Sequence, residues 1–392
     1  MKKFLSSLPA RLILSMIIGV AVGCVANAPL MQVVVTIQNI LGSFIFFCVP
    51  LIIIGFIAPS VTRLGQNVSK ILLLAFGLAY VSSIGAAFMS CFSGFEIIPY
   101  LNISSSVAKV KVLPKAIFEL GLTPVISVLS ALLISILIGI SSCWNKSTTT
   151  INLLEEFHKI ILLIVTKIIT PILPFFVAFT FCSLAYEGVI TKQLPIFVKV
   201  VLIVIAGHYI WLTVLYTLAA LYSKKNSFRV LKYYGPAYLT ALGTMSSAAT
   251  LPIALESVRK SDVLRKDMVD FGIPLFANIH VCGSVLTEVF FVMIVSQIYY
   301  GVLPSVETMI LFCLLLGVFA VGAPGVPGGT VIGSLGLIIS VLGFDNNATA
   351  LILSIFALQD SFGTACNVTG DGALTLILTK FAEGHNNDAI KC

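Results

Sequence analysis

Charge is scarce in this chain: 392 residues hold only 16 acidic and 23 basic ones, 10% in all, where soluble domains carry about 25%. So few charged groups cannot cover a water-facing surface, which excludes an ordinary soluble domain. Strict apolar/polar alternation is missing as well. The apolar runs are continuous, which excludes a transmembrane β-barrel. The start, "MKKFLSSLPARLILSMIIGVAVGCVA", lacks a small-residue cleavage site of conviction and reads as the approach to a first span, not a signal peptide. No CxxC occurs among the nine cysteines at 24, 48, 91, 143, 182, 282, 313, 366 and 392. Most lie in apolar runs, as small buried hydrophobes do, and not as disulfides or a metal cluster would. The net charge of +7 follows from membrane topology and gives no reason to invoke nucleic acid. What is abundant is apolar: 58% of residues, with a mean hydropathy of +1.09. The fold class predicted is an all-α polytopic membrane protein.

Apolar segments able to cross a hydrocarbon core of about 30 Å fall near 11–29, 38–60, 70–95, 117–142, 159–186, 195–222 and 268–300, with a polar-centred one at 346–381. Lys2, Lys3, Arg11, Arg63, Lys70, Lys146 and Lys159 sort to alternate ends of the first spans, which sets the N-terminus inside. Lys109, Lys111 and Lys115 run against that assignment. Two further segments are interrupted. The run 230–257 is flanked by Lys224, Lys225, Arg229 and Lys232 before it and by Arg259, Lys260, Arg265 and Lys266 after it. Both flanks read as cytoplasmic, so the segment enters and leaves by one side. Its centre, "TMSSAATLP", is a poor helix, and non-helical backbone at membrane depth survives only inside protein or a watered cavity. The run 307–343 contains "AVGAPGVPGGTVIGS", and its flanks carry no Lys or Arg. Two opposed re-entrant helical hairpins are predicted, the sequence mark of an inverted-repeat carrier. A kinked ordinary helix is the alternative for the second.

The last span, "IFALQDSFGTACNVTGD" from Ile355 to Asp371, is polar on one side. With Asp360 at 0° and about 100° per residue, Thr364 falls near 40°, Asn367 near 340° and Asp371 near 20°. A carboxylate at bilayer depth costs roughly 2.5–3.5 kcal/mol on the gentler scales, so the stripe is expected to face a polar cavity. A satisfied hydrogen-bond network between helices is the alternative. Gly363, Gly370 and Gly372 permit close approach or local unwinding.

These motifs resemble the dicarboxylate/amino acid:cation symporters, the family of glutamate and aspartate transporters. "DSFGTACNVTGDGALT" is similar to that family's last-span signature, roughly Asp-Met-Gly-Arg-Thr-x-x-Asn-Val-x-Gly-Asp. "TMSSAATLP" and "GAPGVPGG" resemble its two hairpin tips. "PLFANIHVCGS" stands where the family has Pro-Leu-Gly-Ala-Thr-Ile-Asn-Met-Asp-Gly-Thr. The resemblance runs nearly end to end and implies eight transmembrane helices plus the two hairpins in one integral-membrane domain, 1–392. It implies a scaffold of about 11–60 and 117–186, and a moving, elevator-type transport unit of about 70–95 and 195–381. It also implies a homotrimer in the plasma membrane with both termini cytoplasmic. By the same resemblance Asp360 meets a substrate amine, Thr364 and Asn367 contact amine and carboxylate, and Ser246 and Ser247 receive the carboxylate. Ser284 joins the substrate-binding set, Val326 lies in the gate, and Asp371 ligates a cation.

The departures bear on substrate and coupling. The signature arginine is replaced by Gly363, and its alternative position, before the tip serines, is Met245. No guanidinium remains there for an acidic side chain, and an unpaired buried carboxylate costs several kcal/mol. A small amino acid with a neutral side chain is therefore expected, unless a group such as His280 substitutes. The family's Asn-Met-Asp is replaced by His280, Val281 and Cys282, a sodium-site threonine by Asn278, and a serine and threonine by Ala320 and Ala323. Third-span ligands align on Ala75, Leu78 and Ala79. Hard cations need oxygen ligands in number, and these residues offer few. Glu288 lies eight residues after His280, about 80° around an unbroken helix, where proton-coupled relatives have a glutamate. A carboxylic acid withdrawn from water binds a proton more readily, and imidazole titrates near neutrality. His280, Glu288, Asn367 and Asp371 are thus the coupling candidates, although His280 and Glu288 are also readable as satisfied core residues. His158, His208 and His385 belong to no pattern. The function expected is proton-coupled symport of small amino acids, with no cofactor. An uncoupled facilitator and a sodium-coupled symporter of dicarboxylates or acidic amino acids are the alternatives. An intramembrane aspartyl enzyme is disfavoured, because eleven residues of helix set Asp360 and Asp371 roughly 16 Å apart.

Overall fold

The fold is that of a computed structural model describing residues 8–65, 70–101, 103, 111–122, 124–145, 147–323 and 325–384. Lys2, Lys3, Lys109, Lys146, Pro324, His385 and Cys392 lie outside these residues, so the charge-sorting at those lysines has no structural counterpart. All regular structure among the described residues is helical. The first part of the chain forms α1 (Leu8–Val25), α2 (Ala28–Gly65), α3 (Lys70–Ile97), α4 (Val128–Trp144), α5 (Thr148–Ile164) and α6 (Thr170–Tyr186). The second forms α7 (Val189–Ser223), α8 (Phe228–Leu231), α9 (Gly235–Thr244), α10 (Ser247–Val258), α11 (Lys266–Ile279), α12 (Cys282–Tyr300), α13 (Val306–Gly322), α14 (Gly329–Ser340) and α15 (Asn346–Gly384).

Seven helical stretches are long and apolar enough to cross a membrane. The eighth, α4, has 17 residues and sits at the short end of the spanning range. It starts at Val128, not near 117 as the hydropathy suggests. Pro124 interrupts the apolar run, and a proline disfavours helix at the residue before it. Helices α5 and α6 join through a π-turn, Val165–Ile169, where Thr170 Oγ1 donates to the Val165 carbonyl at 2.9 Å. Pro171 cannot donate its own ladder bond there, which suits the wider turn. Together they run from Thr148, eleven residues earlier than the expected 159.

Two packing groups result. Helix α1 lies on α6, and α2 on α4, α5 and α6. Helix α12 lies on α3 and α15, and α15 also meets α7, α9 and α11. The first contact depends on "GVAVG". A Cβ on Gly19 would fall 2.2 Å from the Ala178 carbonyl oxygen, and one on Gly23 would fall 2.3 Å from that of Cys182. Bilayer helices associate by such close backbone approach, since apolar burial drives little between them. Ile13, Leu14 and Ile17 of α1 and Val198 and Leu202 of α7 stay exposed, as a lipid-facing surface allows. By contrast the apolar window of 266–300 is wholly inside the protein, against 22% of that of α1. The last two spans are the centre of the molecule. Six cysteines (48, 91, 182, 282, 313 and 366) are buried and free; Cys24 differs from the sequence expectation in being exposed on α1.

Candidate functional site

Both interrupted runs fold as helical hairpins whose arms, 10 and 12 residues in one and 17 and 12 in the other, are mostly too short to span. The first tip turns because Met245 adopts φ 54°, unusual for a side chain with a Cβ. Ser246 is then extended and caps α10, its Oγ accepting the Ala249 N–H at 3.2 Å. Ser247, buried, opens α10. The second tip needs glycine: Gly328 caps α14 at φ 70°. The tips touch. The Gly325 carbonyl accepts from Ser246 Oγ at 2.7 Å and, at a longer 3.4 Å, from the Ala248 N–H.

The polar stripe of α15 faces inward, with Asp360, Thr364, Asn367 and Asp371 each at most 4% exposed. The helix stays continuous, so the unwinding that its glycines permit does not occur. Where a polar cavity was expected, the stripe meets a satisfied network. Asp360 Oδ2 accepts the Gly328 N–H at 2.7 Å, and Ser284 and Thr364 are its polar neighbours. The second tip thus supplies a partner for the carboxylate.

The remaining stripe residues hold a helix break that the sequence does not announce. The seventh span stops at His280–Val281, between α11 and α12. No side chain of its own caps α12. Asn367 does so from α15: its Oδ1 accepts the N–H of Gly283 at 2.7 Å and of Ser284 at 3.3 Å, and its Nδ2 donates to Ser284 Oγ at 2.9 Å. Those donors would otherwise be orphaned at a helix start. Val326 lies half-buried in the second tip.

His280, at the break, is fully buried between two partners. Its Nδ1 is 2.9 Å from Asp371 Oδ1 and its Nε2 is 2.8 Å from Ser82 Oγ on α3. With Asp371 ionised, Nδ1 must donate. A neutral ring then accepts from Ser82 at Nε2, and an imidazolium donates to it; a hydroxyl serves either state. The expected 80° pairing of His280 with Glu288 along one helix does not hold, because the break separates them. Glu288 faces α14 and accepts from Ser334 Oγ, and its Oε2 is buried without a hydrogen-bond partner among the described residues. His208, which showed no pattern, reaches the Gly283 carbonyl at 3.0 Å and Thr287 Oγ1 at 2.9 Å. Ser82 was likewise missed; the third-span alignment on Ala75, Leu78 and Ala79 points one turn away. Asn278 is exposed and donates to the Pro274 carbonyl.

Backbone contact replaces the missing arginine. A Cβ on Gly363 would lie 3.2 Å from the Ser284 nitrogen and Cα, and one on Gly283 would lie 2.5 Å from the Gly363 oxygen. A side chain at 363 would crowd the start of α12, where the Ser284 backbone would have to give by a few tenths of an ångström. Among the described residues no group of three or more His, Cys, Asp or Glu is placed for a metal ion. A cleft of about 160 Å³ lined by Gln38, Asn39, Glu119, Asn346 and Asn347 lies elsewhere, between α2, α6 and the start of α15.

The chain is similar to excitatory amino acid transporter 2 of Homo sapiens, at 27% identity over 247 residues, 61% of this chain and 42% of that one. Neutral amino acid transporter B(0) of Homo sapiens is 29% identical over 186 residues, 47% of this chain and 34% of the relative. Putative sodium-dependent excitatory amino acid transporter glt-4 of Caenorhabditis elegans is 28% identical over 177 residues, 44% and 35%. The matched regions thus span well under half of each relative's length. The profile of the sodium:dicarboxylate symporter family matches residues 8–381. With its multi-pass helical architecture and two helical hairpins, this chain belongs to the sodium:dicarboxylate symporter family.

Proposed function

We propose that the protein is a secondary transporter of small amino acids with neutral side chains, coupled to protons and working in the plasma membrane as an elevator-type homotrimer. The observation that carries it is Asp360, a buried carboxylate on a central span whose backbone partner comes from a hairpin tip. A carboxylate in that position suits the ammonium of a solute, and the N–H and hydroxyl donors of Ser246 to Ala248 suit its carboxylate. Membership of a transporter family argues against reading Ser82, His280 and Asp371 as a catalytic triad.

Neutral side chains follow from Gly363 and Met245, where no cation stands, and from His280, which is engaged by Asp371 and Ser82. The relatives' names include both excitatory and neutral amino acid transporters, so they leave that choice to the residues. Protons are favoured because Asp371 is met by the imidazole of His280, which has the thiol of Cys282 beside it, groups that do not supply the several oxygens a hard cation needs. Glu288 suits the role too, since a proton would satisfy its unpartnered oxygen. The packing groups α1, α2, α4–α6 and α3, α7–α15 support a scaffold and a mobile unit. Two names favour sodium instead, that of the sodium:dicarboxylate symporter family itself and the word "sodium-dependent" in the name of the nematode relative.

Uptake into proteoliposomes, with a panel of neutral and acidic amino acids and with proton and sodium gradients imposed separately, tests this. Neutral amino acids driven by the proton gradient are expected. Uptake driven by sodium alone refutes the coupling, and preference for aspartate or a dicarboxylate refutes the Gly363 inference. Glu288→Gln is expected to flatten the pH dependence of uptake while leaving solute affinity in place. An unaltered pH profile removes Glu288 from the mechanism.

A further inference from the structure

The cleft between α2, α6 and the start of α15 stands apart from the Asp360 site and collects polar side chains with unspent bonding capacity. Asn39, Ser43, Glu119, Asn346 and Asn347 line it, and none of their side chains makes a hydrogen bond or ion pair among the described residues. Gln38, also in the wall, is only 8% exposed. Its Oε1 accepts the Ser183 hydroxyl at 2.7 Å, which leaves the amide N–H₂ as the free end. Glu119 is the single ionisable group of the lining, and no cation stands beside it there. The start of α15 makes no demand on that acid, because Asp345 Oδ1 already takes the Ala348 N–H at 2.8 Å. An acid and a buried amide donor thus share one space, and neither is satisfied.

We propose that this cleft binds a small zwitterion, its primary ammonium on Glu119 and its oxyanion, a few atoms away, on the Gln38 amide N–H₂. Each wall group selects against a different ligand. A simple anion meets the Glu119 carboxylate with no cation to offset it. An apolar molecule strips water from the acid and the amides and gives nothing back. A zwitterion supplies a charge-assisted bond at each end. The space of about 160 Å³ is close to the roughly 150 Å³ of a cavity that holds benzene, so the ligand has about six to eight non-hydrogen atoms. Alanine, serine and phosphoethanolamine are of that size, and a free amino acid and a lipid ethanolamine phosphate head group share the chemistry. Because α2 and α6 belong to one packing group and α15 to the other, an occupant joins the two. The inference goes beyond the transport reading, and none of its residues belongs to the Asp360 site.

Ser43→Cys places a near-isosteric thiol in the cleft wall. The full-length variant, in phosphatidylcholine vesicles, is labelled with a water-soluble thiosulfonate and read at position 43 by mass spectrometry. Alanine or phosphoethanolamine at ten times its half-protecting concentration is expected to slow labelling about tenfold. Ethylammonium and propionate carry one pole each and are expected to leave the rate unchanged at that concentration. Adding Glu119→Gln should raise the half-protecting concentration about tenfold or more. Adding Asp360→Asn should leave the protection in place. Vesicles containing phosphatidylethanolamine separate the sources. Slower labelling there without added solute names the lipid head group as occupant; an unchanged rate, with protection by the soluble zwitterions, names the free molecule. Labelling that neither zwitterion nor phosphatidylethanolamine slows overturns the proposal. So does equal protection by ethylammonium or propionate, protection that survives Glu119→Gln, or protection lost with Asp360→Asn, which assigns the effect to the transport site. A thiol at position 43 that never labels overturns it too, because the cleft is then closed to solutes.

Discussion

Asp360→Asn is expected to abolish amino-acid binding at working concentrations. Truncating one partner of a buried, hydrogen-bonded charge pair costs about 2–5 kcal/mol, and each 1.4 kcal/mol is about tenfold. Affinity should therefore fall between about 30-fold and several thousand-fold. The asparagine keeps the shape of the side chain, and its oxygen still accepts the Gly328 N–H. Folding and tip contact should survive, with only the negative charge for the ammonium lost. Calorimetric titration of the purified variant with the transported amino acid, beside its thermal midpoint in detergent, separates the two effects. Unchanged affinity removes Asp360 from amine recognition. Lost affinity with a collapsed midpoint assigns it to folding.

The second large effect is expected at His280. His280→Ala leaves the Asp371 carboxylate buried without its 2.9 Å partner and Ser82 without its 2.8 Å one. Breaking a buried pair by removing one member costs about 3–5 kcal/mol, largely because the other charge stays behind. His280→Ala/Asp371→Ala removes that stranded charge. The double variant should recover a sizeable part of the loss, a coupling of about 0.5–3 kcal/mol for residues in direct contact. Denaturation of the wild type, both single variants and the double variant closes the cycle. Additive losses mean that Asp371 relies on other partners and that the imidazole is packing. The position matters because Asp371 is where the family resemblance implies a cation ligand, and in this chain an imidazole with a hydroxyl behind it occupies that carboxylate.

Much of the architecture was legible before the fold. Hydropathy and helical period are properties of neighbouring residues, so the long apolar runs, the "TMSSAATLP" and "GAPGVPGG" interruptions and the inward side of the last span could be read directly. Boundaries were less secure where proline acts against hydropathy, as at 117–127. The site was legible in membership but not in pairing. Asp360, Asn367 and Asp371 were marked as one stripe, yet each serves a different element: a hairpin tip, the start of α12 and the imidazole of His280. His280 and Glu288 were joined on the assumption of an unbroken helix, and no glycine or proline at 280–281 warned otherwise.

What the sequence by itself determined is the membrane class, the order of spans and hairpins, and the side of α15 that carries polar groups, because each depends on local composition and a 3.6-residue period. Only the tertiary structure decided that Asn367 caps α12 across the gap, that Ser82 backs His280 from 198 positions away, and that Gly325 and Gly328 sit on Ser246 and Asp360. The reason is that a buried donor or acceptor must find its partner in space, and separation along the chain does not say which helix will bring it.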